Sequence, residues 1–297
     1  MFAIVGMVVV IGAVLGGYLM EKGHLAVLLQ PAELLIIGGA AVGTLLIANP
    51  THILKGIADG LKQVLGKSVY GKDRYVATFK MMFELLGKMR RAGVIAIEAD
   101  IEKPAESPIF NAYPLFLADH HACDFVCDTM RMIVTGGVDA FAMDQMMELD
   151  MEVRHHGANQ PIAALTTVAD ALPGLGIVAA VLGVVITMGA LGGPPEAIGH
   201  KVAAALVGTF LGILMCYGFV GPLGSNMTKA LDEEHSYLHV LRVLIACAAR
   251  NSPPALAVET ARRAVPVHVR PSFAEVEAAC KGEPAAAGVA AEATTAA

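Results

Sequence analysis

The chain has 297 residues, of which 56% are hydrophobic and only 16% charged, with a mean hydropathy of +0.61. Soluble domains run at about 45–50% apolar and about 25% charged residues, so the composition excludes an ordinary soluble enzyme, while 31 glycines and few aromatics suit closely packed membrane helices. The formal net charge of −6 speaks against a nucleic-acid-binding protein, which carries a basic patch.

A helical span needs roughly 20 mostly apolar residues to cross about 30 Å of hydrocarbon. Ala3–Met20 is the first such run and ends at Glu21 and Lys22. It lacks the basic start and small-residue cleavage site of a signal peptide and reads as a retained helix. Leu34–Ala48 is the second, extended by Leu25–Gln30 through Pro31 and Glu33 at the membrane surface. Residues 1–48 thus hold two spans.

Residues 49–165 read as a helical polar domain. Thr51 is a candidate N-cap for a helix with Ile53, Ile57, Leu61 and Val64 on one face. A second helix covers about Asp73–Arg91, with Val76, Phe79, Phe83 and Leu86 as its stripe. Its last turn carries Lys88, Arg90 and Arg91, where cations complement the helix dipole, and Gly93 ends it. Glu98, Asp100 and Glu102 follow at once. A third helix is expected over about Tyr113–Thr135, stopping at Gly136-Gly137. A fourth covers about Ala140–His156 behind Asp139 and carries Glu148, Asp150 and Glu152.

Residues 166–228 hold the other two spans: Ala171–Pro195, uncharged between Asp170 and Glu196, and Val202–Thr228, uncharged between Lys201 and Lys229. Residues 229–281 continue as a helix through about Arg250, then a short helix after Ser252-Pro253-Pro254 and one at Phe273–Ala279 capped by Ser272. Residues 282–297 are low in complexity and expected to be disordered. The fold class is all-α: a polytopic membrane protein with four transmembrane helices and a helical cytoplasmic domain.

Orientation follows from Lys and Arg. Twelve lie between the second and third spans and seven after the fourth, whereas the short connections hold only Lys22 and Lys201. The positive-inside rule therefore puts the long loop and both termini in the cytoplasm. Small residues recur four apart at Gly12/Gly16, Gly39/Gly43, Gly176/Ala180 and Gly208/Gly212, a spacing that lets helices approach closely in lipid. They serve either packing within one chain or an oligomer interface.

Little points to catalysis. His120, Cys123 and Cys127 share a helix face, but three ligands on one helix fall short of a four-ligand zinc site, and the five cysteines are read as free thiols. His155 and His156 point to different sides of their helix. No phosphate-binding GxxxxGK[ST] loop occurs, nor a nucleophile–base arrangement, so no enzyme activity, cofactor or metal is assigned. A membrane proton relay needs an ionisable residue at depth, and the last two spans hold none. At depth they carry Thr187 and Thr209, with Pro173 and Pro222 to break backbone hydrogen bonds. Alone, the chain reads as an apolar wall with a few hydroxyls, and a partner must supply the carboxylate. Arg90 and Glu98 read equally as an ordinary solvated helix end.

Nearly the whole chain, apart from its tail, resembles the MotA family of flagellar stator A subunits. The resemblance is carried by GGYLM (16–20), QPAEL (30–34), EADIEKPAESPIF (98–110), ALPGLGIVAAVLGVV (171–185), VGTFLGILMCYGFVGPL (207–223) and RPSF (270–273). The four spans and the large second loop separate it from the related three-span ExbB and TolQ proteins. The resemblance implies a bacterial inner-membrane protein forming a pentameric ring around a MotB dimer, whose single helix bears the proton-accepting Asp. It implies that Arg90 and Glu98 engage the rotor protein FliG, that Pro173 and Pro222 shape the ion path and that Thr209 lines it. Sodium-driven relatives have a Thr where this chain has Ala180, which implies protons as the coupling ion. The acidic position on the last cytoplasmic helix is Glu in familiar members and Asp150 here. The alternatives are an ExbB/TolQ-like energiser of outer-membrane transport or envelope integrity, and a structural scaffold without ion flux.

Overall fold

In lipid, backbone polar groups find no water, so uncharged runs of this length close their hydrogen bonds internally as helices. A computed structural model describes residues 2–66, 69–189 and 192–282, and among them there is helix and no strand. The tail expected to be disordered lies, beyond Gly282, outside the described residues. Among the described residues, four helices are long and apolar enough to cross a membrane. The chain forms two compact units, Met1–Ser68 with His156–Leu231 and Val69–His155 with Asp232–Ala297.

The first unit holds α1 (Phe2–Met20), α2 (Leu25–Leu28), α3 (Pro31–Ala48) and α4 (Thr51–Leu65). It also holds the later part of α10 (Ala140–Met188), then α11 (Pro195–Leu214), a π-helical turn at Met215–Val220 and the start of α12 (Gly221–Ala249). The helix expected over Ala140–His156 and the third span are one 49-residue helix, running unbroken past Pro161 and Pro173. Thr51 does not cap α4: Pro50 takes the N-cap position and Thr51 is the first helical residue. Ile53, Ile57 and Val64 of α4 form a cluster with Ile162, Leu165, Met227 and Leu231. A methyl on Gly56 would lie 2.5 Å from Pro161 Cγ, so the glycine leaves the notch that admits the proline ring.

The α10 and α11 backbones touch. A methyl on Gly176 would sit 2.8 Å from the Gly208 carbonyl oxygen and 3.1 Å from Gly212 Cα. One on Gly212 would sit 2.6 Å from the Leu172 carbonyl oxygen. These small residues therefore pack within the chain. Gly12, Gly16, Gly39 and Gly43 have nothing within 4 Å of such a methyl, and their helix faces stay open in the single chain.

The second unit holds α5 (Lys72–Ala92), α6 (Glu98–Glu102), α7 (Pro108–Asn111), α8 (Pro114–Leu117) and α9 (His120–Thr135), with the early part of α10 and the later part of α12. It is completed by α13 (Pro254–Ala264) and α14 (Phe273–Lys281). The helix expected over Tyr113–Thr135 is broken. Pro114 opens α8, and the Asp119 side chain accepts the Ala122 N–H at 3.1 Å to start α9 afresh. Asp139 behaves as expected, accepting from the N–H groups of Phe141 and Ala142 at 2.8 and 3.1 Å. Ser272 and Glu275 form a reciprocal capping box on α14. Gly93 ends α5 at φ +87°, a conformation that strains a residue with a Cβ.

Tyr75, Phe79, Met81, Met82 and Leu85 of α5 pack with Phe125, Val126, Met130, Tyr237, Leu241 and Leu244 in the largest core. Arg74 is buried beside them, ion-paired to Asp119, with its guanidinium carbon 4.7 Å from the ring centroids of both Tyr70 and Tyr237. Asp100, also buried, accepts from Lys88 Nζ and from Ser107 Oγ, each at 2.6 Å. Ser107 in turn caps α7, accepting from the N–H groups of Ile109 and Phe110.

Gly176→Ala forces α10 and α11 apart and should lower stability by about 1–3 kcal/mol, whereas Gly39→Ala should leave the chain folded. Thermal unfolding in detergent separates the two, and equal stability of both variants would contradict the packing. Asp100→Ala strands Lys88 and Ser107 and should cost about 2 kcal/mol, less than a fully buried pair because Lys88 is 37% exposed. Arg90→Ala and Glu98→Ala should stay within about 0.5 kcal/mol of the parent in the same assay.

Candidate functional site

Ala180 and Thr209, two of the residues expected to line an ion path, lie on the seam between α10 and α11. A methyl on Gly183 would meet Ala205 Cβ, one on Gly208 would meet Ala179 Cβ and the Ala180 nitrogen, and one on Gly176 would meet Thr209 Cα at 3.3 Å. This antiparallel register brings Ala180 beside Gly208 and Thr209 beside Gly176. Carried along, it sets Pro173 opposite the π turn and Pro222 further on, toward Thr166.

Both helices are irregular at that level. Pro173 offers no N–H to the carbonyl four residues before it. In the π turn, the Gly221 N–H reaches back five residues to the Cys216 carbonyl, an arrangement found mostly at functional sites. The wider turn directly precedes Pro222, whose ring has no room in a regular helix. Thr187 is buried and donates its hydroxyl to the Gly183 carbonyl at 2.8 Å.

The seam also contains an acid from the start of α3: Glu33 is only 7% exposed within the chain. The methyl that would touch Ala179 and Ala180 from Gly208 would lie 2.7 Å from Glu33 Oε2. The only signal in the sequence is a single acid two residues into an apolar helix, which reads equally as a helix-start charge.

The charged candidates Arg90, Glu98 and Asp150 lie in the second unit. Around the end of α5 most charges are paired: Lys88 with Asp100, Arg131 with Glu102 and Asp128, Lys103 with Glu106. Arg90 and Glu98 are exposed and, among the described residues, enter no ion pair or side-chain hydrogen bond. On α10 the structure separates two neighbouring acids. Glu148 is reached by Arg242 at 3.4 Å, and Arg242 also grips Asp144 through two bonds of 2.8 and 2.9 Å. That grip holds the Asp144 carboxyl below its ordinary range, while burial, then Arg242, pushes the neighbouring His239 down. Asp150 is exposed and unpaired among the described residues. His120 is exposed, whereas Cys123 and Cys127 are buried in the core, so the three do not form one site.

Comparison with known proteins adds the following. Residues 4–93 match the family model described as motility protein A N-terminal, and residues 118–245 match that of the MotA/TolQ/ExbB proton channel family. Motility protein A of Salmonella typhimurium is 38% identical over 277 residues, covering 93% of this chain and 94% of the relative. That of Escherichia coli is likewise 38% identical with the same coverage. The chemotaxis protein LafT of Vibrio parahaemolyticus is 34% identical, covering 92% and 95%. The fold is shared with the C. jejuni MotAB structure at a TM-score of 0.75 and 20% identity, covering 91% of this chain and 98% of that one. It is shared too with the Bacillus subtilis MotAB stator complex at a TM-score of 0.70 and 21% identity, covering 87% and 93%. Kinship over nearly the full length, joined to four apolar helices and a glycine-packed seam, leads to one conclusion: the chain belongs to the motility protein A family, within the MotA/TolQ/ExbB proton channel proteins.

Proposed function

We propose that the chain is the A subunit of a flagellar stator that, with a MotB-type partner, couples proton flow across the bacterial inner membrane to torque on the rotor. The observation that carries the reading is the near-full-length kinship with motility protein A. The match of residues 4–93 to a model specific to motility protein A favours the stator over an ExbB/TolQ-like energiser.

In this reading, five copies ring a MotB dimer, with the second unit and both termini in the cytoplasm, where Lys and Arg concentrate. The partner supplies the essential carboxylate. Protonating it removes a charge that is expensive to hold in apolar surroundings, which frees its helix from one wall of the ring and favours the next. A charge crossing the membrane potential supplies about 2.3 kcal/mol per 100 mV. Thr209 lines the path, and Pro173 and Pro222 shape it by leaving backbone carbonyls unbonded beside the π turn. Ala180 brings no hydroxyl with which to coordinate a sodium ion, which supports protons as the coupling ion.

Arg90, Glu98 and Asp150 are the rotor-facing charges, engaging FliG. Support comes from their lack of partners among neighbours that are tied down, since an unpaired charge is free to meet a passing rotor charge. Exposed pairs are individually weak and screened by salt, which suits contacts that must form and break repeatedly.

In a host lacking its own A subunit, Arg90→Glu and Glu98→Lys should each reduce swimming speed several-fold while membrane insertion and co-purification of the partner stay normal. Wild-type swimming in the double reversal would sink the electrostatic assignment. A TonB- or Tol-system partner recovered by mass spectrometry would instead favour the energiser.

A further inference from the structure

Glu33 is the one acid that the structure places inside the α10/α11 seam, and nothing there holds it. Its Oε2 is buried without a hydrogen-bond partner. Gly208 makes the room: its missing methyl would stand 2.7 Å from that oxygen, 3.1 Å from Ala179 Cβ and 3.3 Å from the Ala180 nitrogen. Gly208 lies thirteen residues into α11, about 20 Å along the helix, and Thr209 follows it directly.

The ionisable groups on the elements packed around Glu33 stand apart from it. On α11 they are Glu196, His200 and Lys201, all exposed and at least seven residues before Gly208. On α10 the nearest is Asp170, exposed and nine residues before Ala179. Cys216 and Tyr217, in the π turn, come eight and nine residues after Gly208. At α2 the one ionisable group is His24, exposed at the N-cap, and the rest of α3 contributes none. A carboxylate buried without a counter-charge is unstable as an anion unless something cationic visits it. The structure supplies the visitor with a place but no fixed partner.

We infer that Glu33 is a proton-binding site belonging to this chain itself, receiving a proton from the external side and passing it along the seam past Thr209 to the partner's carboxylate. This rests on the stator reading above. The step is a simple transfer: a hydronium proton forms the neutral carboxyl at Oε2 and leaves water behind, and its departure to the next acceptor restores the carboxylate. Glu33 speeds delivery, while the partner's acid remains the group that drives rotation.

The test uses cells carrying the full chain with its partner, with swimming speed followed against external pH. Glu33→Gln keeps shape and cannot ionise. It should insert and co-purify normally, swim several-fold slower at neutral external pH, and approach the parent as external pH falls and protons reach the partner without a relay. Glu33→Asp should fall between the two. A Glu33→Gln curve that superimposes on the parent's would overturn the inference, as would slowing by the same factor at every pH, the mark of a purely structural role. Should Glu33→Gln fail to accumulate, the unaltered complex decides. Dicyclohexylcarbodiimide, which reacts with protonated carboxyls in apolar settings, should label the peptide bearing Glu33, less so as pH rises, and an unlabelled peptide overturns the proposal. Failure of the stator reading shows separately, as absence of motility with the unaltered chain.

Discussion

Backbone contact between α10 and α11 is the constraint on which the membrane part of this molecule depends. Lipid tails are as apolar as leucine, so two helices gain nothing by hiding side chains from them and must gain from close van der Waals approach. Gly176, Gly208 and Gly212 allow that approach by removing the side chains that would hold the backbones apart. The same contact fixes the register, and the register decides which residues meet: Ala180 with Gly208, Thr209 with Gly176, and Glu33 in the space that Gly208 leaves.

Tight packing at one level is combined with irregular backbone at another. Pro173 and the π turn before Pro222 interrupt hydrogen bonding where the helices have no charged side chain. Broken backbone at membrane depth is tolerated where it is buried in protein or lines a water-filled cavity. On the path proposed above, carbonyls, threonine hydroxyls and small residues offer hydration without a fixed charge. A travelling proton is then held only where a carboxyl is provided.

Spans and the Asp139 and Ser272 caps were legible in the sequence because each depends on local chemistry. Run length identifies a span, Ser272 with Glu275 identifies a capping box, and Gly93 marks a helix end by its φ. What could not be read was set by contacts distant along the chain. Asp119 looks like one polar residue within a helix, and it caps a new one with a carboxylate that Arg74 of α5 and Tyr70 just before α5 also hold. The run of α10 across Pro161 joins an expected cytoplasmic helix to an expected span, with Gly56 of α4 making room for that proline. The burial of Glu33 depends on Gly208, 175 positions away, which leaves a gap for its carboxylate. Arg90 and Glu98 could be listed from sequence, but whether they were free depended on which neighbours paired, and only the fold shows Lys88 committed to Asp100.

The two sets of candidate residues thus obey opposite rules for the same physical reason. In the membrane a charge is costly, so the chain keeps acids out of the last two spans and admits Glu33 only where a glycine leaves space. In the polar unit a charge is cheap when exposed, and availability becomes the scarce property. Buried charges such as Arg74 and Asp100 are neutralised by partners and used to fix local structure. Exposed neighbours such as Glu102 and Lys103 are occupied by weaker pairs. Arg90, Glu98 and Asp150 share with exposed neighbours such as Arg91 and Glu152 that folding leaves them uncommitted. By the same logic, Glu33 differs from every other buried acid among the described residues in having no fixed partner. Sites that must exchange a counter-ion repeatedly are those in which the fold has not already satisfied the charge.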